Sequence, residues 1–247
     1  MTDLISLRMV VVAAGRPERD LWRQGAGLAS VPIEFFDSNV TGAGDALARG
    51  GIDIAVVDSD VPDDKKVEIV KFARALQPPP FVLMAAPAGA KRLEGTDGTV
   101  VRPTTVEDAR KLVERCIRVK VATRVLIVDD SGTMRSIVRK ILSASHFAME
   151  IFEAEEGIAA LEQLRTGNFD LVFLDYNMPG LNGFETLSEI KRENNNVAVV
   201  MMTSTVSNIM GDRAHAAGAL AFLKKPFYPA DIDAVLQRFY GLYAPIN

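Results

Sequence analysis

Short apolar runs without polar alternation punctuate the chain, and longer stretches with a helical period separate them. Residues 8–12 (Arg-Met-Val-Val-Val) and 124–128 (Arg-Val-Leu-Ile-Val) are β-branched runs. Residues 54–58 and 171–175 are apolar runs that each end in aspartate, and residues 81–84 and 199–202 follow them. Apolar runs of this kind predict strands buried on both faces, which points to parallel sheet. Between them, Met134, Ile137, Val138, Ile141 and Leu142 fall on one helical face, as do Ile232, Val235, Leu236 and Phe239. Strands alternating with helices predict a doubly wound α/β architecture with right-handed crossovers. In such sheets the site lies at the carboxyl ends of the strands, where the strand order reverses.

The runs are two copies of one plan. The first pair is offset by 116 residues (124 − 8), the aspartate-ended pair by 117 (175 − 58), and the next by 118 (199 − 81). Val101-Arg102-Pro103 and Lys224-Lys225-Pro226 are offset by 123 (226 − 103). The spacing predicts two domains of about 120 residues, 1–121 and 122–247. The first closes with a helix capped by Thr105, with Asp108 at its third position and Ala109, Leu112, Val113, Cys116 and Ile117 as its apolar stripe. No Gly/Ser/Pro linker follows, so a short, stiff connection into the second domain is expected.

Composition narrows the class. Apolar residues make up 48% of the 247 and charged residues 24%, the balance of a soluble globular protein. Lys and Arg number 28 against 32 Asp and Glu, a net charge of −4 that makes direct nucleic-acid binding a poor expectation. A single cysteine, Cys116, excludes an internal disulfide and a Cys-rich zinc site. The start carries no signal-peptide pattern, and no apolar run approaches the ~20 residues of a membrane span. A cytoplasmic protein is expected.

The predicted strand ends carry the chemistry. They present Asp129-Asp130, Asp175 followed by Tyr-Asn-Met-Pro-Gly, Thr203-Ser204 and Lys225-Pro226. Like charges ~4 Å apart cost about 4 kcal/mol at an effective dielectric of ~20, so three carboxylates in one crevice call for a hard divalent cation, Mg²⁺ by ligand type. A lysine and a hydroxyl opposite suit a phosphoryl group, and the central Asp175 is placed to be a nucleophile that forms an aspartyl phosphate.

Over residues 123–243 these elements resemble the receiver domain of bacterial two-component response regulators. The resemblance implies a flavodoxin-like, five-stranded parallel sheet, and by the repeat a second, degenerate copy of that fold in residues 1–121. It implies that Asp175 accepts phosphate from a histidine kinase or histidine phosphotransfer protein. It further implies that Asp130 and Asp175 bind Mg²⁺ through carboxylates, Asn177 through its backbone carbonyl and Asp129 through water. Thr203 and Lys225 would contact the phosphoryl oxygens, the Lys225–Pro226 bond would be cis, and Thr203 with Phe222 would form the switch. The readout would fall on the fourth helix, fifth strand and fifth helix of that domain. The function implied is a signalling switch with slow self-dephosphorylation, not a turnover enzyme.

Aligned by the offsets, the first domain carries Ala13 and Ala14 at the acid pair, Asp58 at the acceptor, Ala85 at the Thr203 position and Arg102 at the Lys225 position. No metal and no phosphorylation are expected there. Arg102 reads either as a surface charge or as a cation that neutralises Asp58. Arg102 follows Ala85 by only 17 positions (102 − 85), against 22 from Thr203 to Lys225 (225 − 203), so the fourth helix is expected to be reduced or absent. His146, His215, Cys116, Trp22 and Lys224 read as packing or surface residues. Three other functions compete. A regulatory fragment of a larger effector such as a cyclase stays open, although the chain shows no helix-turn-helix or cyclase-like segment. An aspartate-nucleophile phosphohydrolase would carry its nucleophile on the first strand, with a second aspartate two residues on. A flavin phosphate would be repelled by the carboxylates. A homodimer is possible without heptads to support it, and the downstream partner is not legible.

Overall fold

A computed structural model describes residues 6–193, 196–204 and 208–242, with the side chains of 208–210 excepted. Residues up to Lys120, together with Tyr240–Leu242, form one compact unit, and Val121–Phe239 form a second. The second unit begins at Val121, one residue before the start expected from the repeat. At the other end, Tyr240 and Leu242 are buried, and Arg115 Nη1 donates to the Gly241 carbonyl at 3.3 Å. The last described residues therefore group with the first unit.

The first unit runs β1 (Leu7–Val12), α1 (Arg16–Gly27), β2 (Ile33–Ser38), α2 (Ala43–Leu47), β3 (Ile54–Asp58), α3 (Asp63–Ala75), β4 (Phe81–Ala86), β5 (Gly98–Val101) and α4 (Val106–Lys120). Its strands are parallel, in the order β2-β1-β3-β4-β5. The second unit runs β6 (Thr123–Val128), α5 (Gly132–Ser143), β7 (Met149–Ala154), α6 (Gly157–Thr166), β8 (Leu171–Asp175), α7 (Gly183–Glu193), β9 (Ala198–Thr203), α8 (Asn208–Ala216), β10 (Ala221–Lys224) and α9 (Pro229–Phe239). Its parallel order, β7-β6-β8-β9-β10, is the same plan. Both sheets are thus the five-stranded, flavodoxin-like arrangement.

The pattern explains the elements. Strands β3, β4 and β8 are buried at every residue, as unbroken apolar runs require. Helices cover both faces; in the second unit Val138, Leu142, Leu187, Ile190, Ile232 and Leu236 turn inward. The α5 stripe is narrower than its sequence pattern, because Ile137 stays 43% exposed. Helix α4 starts where expected: Asp108 N–H donates to Thr105 Oγ1 and Thr105 N–H to Asp108 Oδ2, both at 3.1 Å, a reciprocal capping box. Two residues separate its end at Lys120 from the start of β6 at Thr123.

Two expectations about the first unit meet the structure. Residues 87–97 carry no helix between β4 and β5, as the shorter spacing predicted. They are held instead by Asp97, whose Oδ2 accepts Val82 N–H at 2.7 Å and whose Oδ1 pairs with Arg74 at 2.7 Å. The assignment of Ala85 to the Thr203 position is corrected by one residue. Asp58 pairs with Ala85 and Asp175 pairs with Met202, so the counterpart of Thr203 is Ala86. The apolar runs 81–84 and 199–202 contain no polar marker to fix their register, and ladder pairing sets the offset at 117 (198 − 81).

Candidate functional site

Parallel strands end on one edge, and in the second unit that edge gathers the predicted residues. Asp129 and Asp130 follow β6, Asp175 closes β8, Thr203 closes β9, and Lys225 follows β10. One carboxylate oxygen from each of Asp129, Asp130 and Asp175 lies within 4.8 Å of the others, and among the described residues this is the one acidic group so arranged. Asp129 and Asp175 are buried, whereas Asp130 is exposed.

The Lys225 ammonium sits between two of them, with Nζ 2.6 Å from Asp129 Oδ2 and 2.9 Å from Asp175 Oδ1. Asp129 Oδ1 accepts Ser131 N–H at 2.9 Å. Burial pushes the Asp175 carboxyl above the usual carboxylate range; Lys225 opposes that rise and Asp129 adds to it. Burial pulls Lys225 down, but its bonds to Asp129 and Asp175 outweigh it and hold the ammonium above its ordinary value. Three carboxylates against one ammonium leave a charge deficit of two. An all-oxygen cluster of that charge suits a hard divalent cation.

The backbone positions the rest. Lys225 N–H donates to the Thr203 carbonyl and Tyr176 N–H to the Met202 carbonyl, each at 2.7 Å, which locks the loops after β8 and β10 to β9. The Lys225–Pro226 peptide is cis. Thr203 is buried beside Lys224 in the ladder. Asn177 lies in the exposed loop after β8, whose next residue, Met178, is buried and anchors it. Phe222 is half-buried on β10, paired with Met201 and packed on the core.

Sequence reasoning missed Gly183, where α7 begins against the end of β8. A Cβ there would stand 2.1 Å from the Asp175 carbonyl oxygen, so only glycine lets the helix approach. Its missing side chain gave no signal without the structure.

The first unit brings together different groups. Asp58 is buried at the end of β3, and Arg102 Nε lies 3.1 Å from its Oδ1. Arg102 is therefore the neutralising cation, not an idle surface charge. Its Nη2 also reaches Glu18 at 3.0 Å and Asp60 at 3.8 Å. Asp60 in turn accepts the N–H groups of Ala14 and Gly15 at 2.9 and 2.8 Å. Asp58 Oδ2 is buried with no hydrogen-bond partner, and desolvation holds this carboxyl above its usual range despite Arg102. Ala13 and Ala14 supply no side-chain ligand here, and the Arg102 guanidinium stands among the three acids. Asp60 and Glu18 were not singled out, although the repeat flagged their places: the offsets align them with Asn177 (60 + 117) and Met134 (18 + 116).

A parallel sheet of this order, with an acid triad and a lysine at its strand ends, defines a receiver-type module. A family model for the response regulator receiver domain matches residues 125–237. The chain is 35% identical over 119 residues to chemotaxis protein CheY-3 of Vibrio cholerae serotype O1, covering 47% of this chain and 91% of that protein. It is also 35% identical over 119 residues to chemotaxis protein CheY of Pseudomonas aeruginosa, covering 47% and 95%. A solved structure described as a probable two-component system response regulator/GGDEF domain protein matches 96% of this chain and 98% of its own, with a TM-score of 0.55 at 23% identity, a likeness of fold. The chain belongs to the response regulator receiver family, with one receiver fold in each unit.

Proposed function

We propose that the second unit is a phosphoacceptor switch, in which Asp175 takes a phosphoryl group from a histidine kinase or histidine phosphotransfer protein. The observation that carries this reading is the Lys225 ammonium lodged between Asp129 and Asp175 inside a three-carboxylate cluster. A carboxylate oxygen of Asp175 forms the new bond to phosphorus. The phosphorus–nitrogen bond of the donor phosphohistidine breaks, its electron pair stays on the imidazole, and the imidazole takes up a proton. Asp130 and Asp175 through carboxylates, Asn177 through its carbonyl and Asp129 through water would hold Mg²⁺, which supplies charge neutralisation for the phosphoryl oxygens. Lys225 donates to one phosphoryl oxygen and the Thr203 hydroxyl to another.

Thr203 drawn toward that group opens space for Phe222 to turn inward, a local charge event that biases a two-state element. The face formed by α8, β10 and α9 then carries the signal to a protein partner. The net charge of −4 favours output by protein contact over direct nucleic-acid binding. No helix among the described residues is long and apolar enough to cross a membrane. The acceptor is stoichiometric, and its phosphate is lost by slow hydrolysis, not turned over. The first unit is its unphosphorylated companion, with Arg102 in place of metal and lysine.

Incubation with a small-molecule phosphodonor and Mg²⁺ is expected to place acid-labile phosphate on the chain, and Asp175→Asn to abolish it. Undiminished labelling of that variant rejects the assignment.

A further inference from the structure

Asp129 carries one of the three clustered carboxylates but lies outside regular structure. Strand β6 ends at Val128 and α5 starts at Gly132, and the Asp129 N–H reaches the Ala154 carbonyl only at 3.3 Å. We propose that Arg135 is a positioning residue for the metal site, setting where Asp129 holds its carboxylate. The inference rests on the metal-dependent reading of the site given above.

Arg135 Nη1 donates to the Asp129 carbonyl at 2.8 Å. Its Nε lies 3.1 Å from Glu153 Oε2 and its Nη2 2.7 Å from Glu155 Oε1. One rigid guanidinium thus ties the loop that bears the acid pair to the end of β7, and its side chain is only 12% exposed. Arg139 also pairs with Glu153, so the two arginines and two glutamates sum to zero charge. The set carries no net charge, so its long-range pull on a cation is small and the role of Arg135 is placement.

The repeat supplies a matched control. Arg19, 116 residues earlier (135 − 19), donates from Nη1 to the carbonyls of Ala13 and Ala14 at 2.7 and 2.8 Å, and its Nε lies 3.4 Å from Asp37. Asp37 is 116 residues before Glu153 (153 − 37). The same fork is built twice, and only in the second unit does it hold a residue that can ligate a cation.

The test is calorimetric titration of the full chain with Mg²⁺ and, separately, Ca²⁺. Loss of an outer partner to a metal ligand costs about tenfold or more in affinity, so Arg135→Gln is expected to weaken Mg²⁺ binding by about tenfold. Ca²⁺ accepts looser geometry than Mg²⁺, so the preference for Mg²⁺ should narrow in this variant, a change that general destabilisation does not produce. Arg135→Lys keeps the charge and should recover part of the affinity. Glu155→Gln loosens the fork from its exposed side, should weaken Mg²⁺ less than Arg135→Gln does, and serves if that variant fails to fold. Arg19→Gln should bind as the unaltered chain does. Unchanged Mg²⁺ affinity and selectivity in the Arg135 and Glu155 variants, or an equal loss in Arg19→Gln, overturns the proposal. Absence of Mg²⁺ binding by the unaltered chain overturns the metal reading itself, and the proposal with it.

Discussion

Asp175 and Asp58 end matched strands and meet opposite surroundings. Asp175 shares an ammonium with Asp129, and that ammonium fills space a divalent ion would otherwise contest. Lys225→Met removes the competing charge, so Mg²⁺ is expected to bind about tenfold tighter, a modest part of the Coulomb energy at these distances. Calorimetry checks this, and unchanged or weaker binding contradicts it. Asp58 is a buried carboxyl whose ordinary value is raised by desolvation. Between the unfolded and folded values the folded chain keeps a proton that the unfolded chain has released, so stability falls as pH rises through that window. The first unit should therefore gain stability as pH falls toward the ordinary carboxylate range, by at most about 1.4 kcal/mol per pH unit for one proton, and Asp58→Asn should flatten that slope. Trp22, the sole tryptophan and fully buried in α1, reports unfolding of that unit by fluorescence. An unaltered slope in the variant assigns the dependence elsewhere. At this scale the acids and Lys225 were legible because residue type and strand-end position together carry their chemistry. Glu18, Asp60 and Arg135 were not, because their roles come from contacts with residues distant in sequence.

Helices α4 and α7 show what local sequence does and does not determine. The α4 cap was legible because Thr105 and Asp108 stand three apart before an apolar stripe. Thr105→Ala should lower the stability of the first unit by ~1 kcal/mol, read through Trp22. The placement of α7 depends on Gly183, where even one methyl meets the Asp175 carbonyl oxygen and the Tyr176 Cα. Gly183→Ala is expected to destabilise the second unit by about 1–3 kcal/mol and to slow phosphate uptake, since the acceptor strand end must shift. Normal uptake with normal stability would show that the helix yields without cost. Among strands, β1, β3, β4, β6, β8 and β9 were readable as continuous apolar runs. The edge strands β2 and β7 were not: they alternate glutamates and aspartate with apolar residues and are only partly buried. The slip from Ala86 to Ala85 has the same root, a run of like residues whose register comes from pairing with β3 and not from its own composition.

Across the whole molecule, one plan occurs twice, and among the described residues the acid triad occurs once. The duplication was legible because strands aligned at nearly constant offsets, and the departure of the first unit from the acid pair because Ala13 and Ala14 stand at those positions. Arg102 as the partner of Asp58 was one of two readings of the sequence; that Glu18 and Asp60 join it in an internal charge set was not legible. On the proposed reading, phosphoryl chemistry belongs to the second unit alone. Intact-mass measurement of the full chain after treatment with a phosphodonor and Mg²⁺, followed by peptide mapping after reductive trapping of the acyl phosphate, tests it most directly. One phosphoryl group per chain, on Asp175 and dependent on Mg²⁺, is the predicted result; phosphate on Asp58, or a full complement without divalent metal, would contradict it.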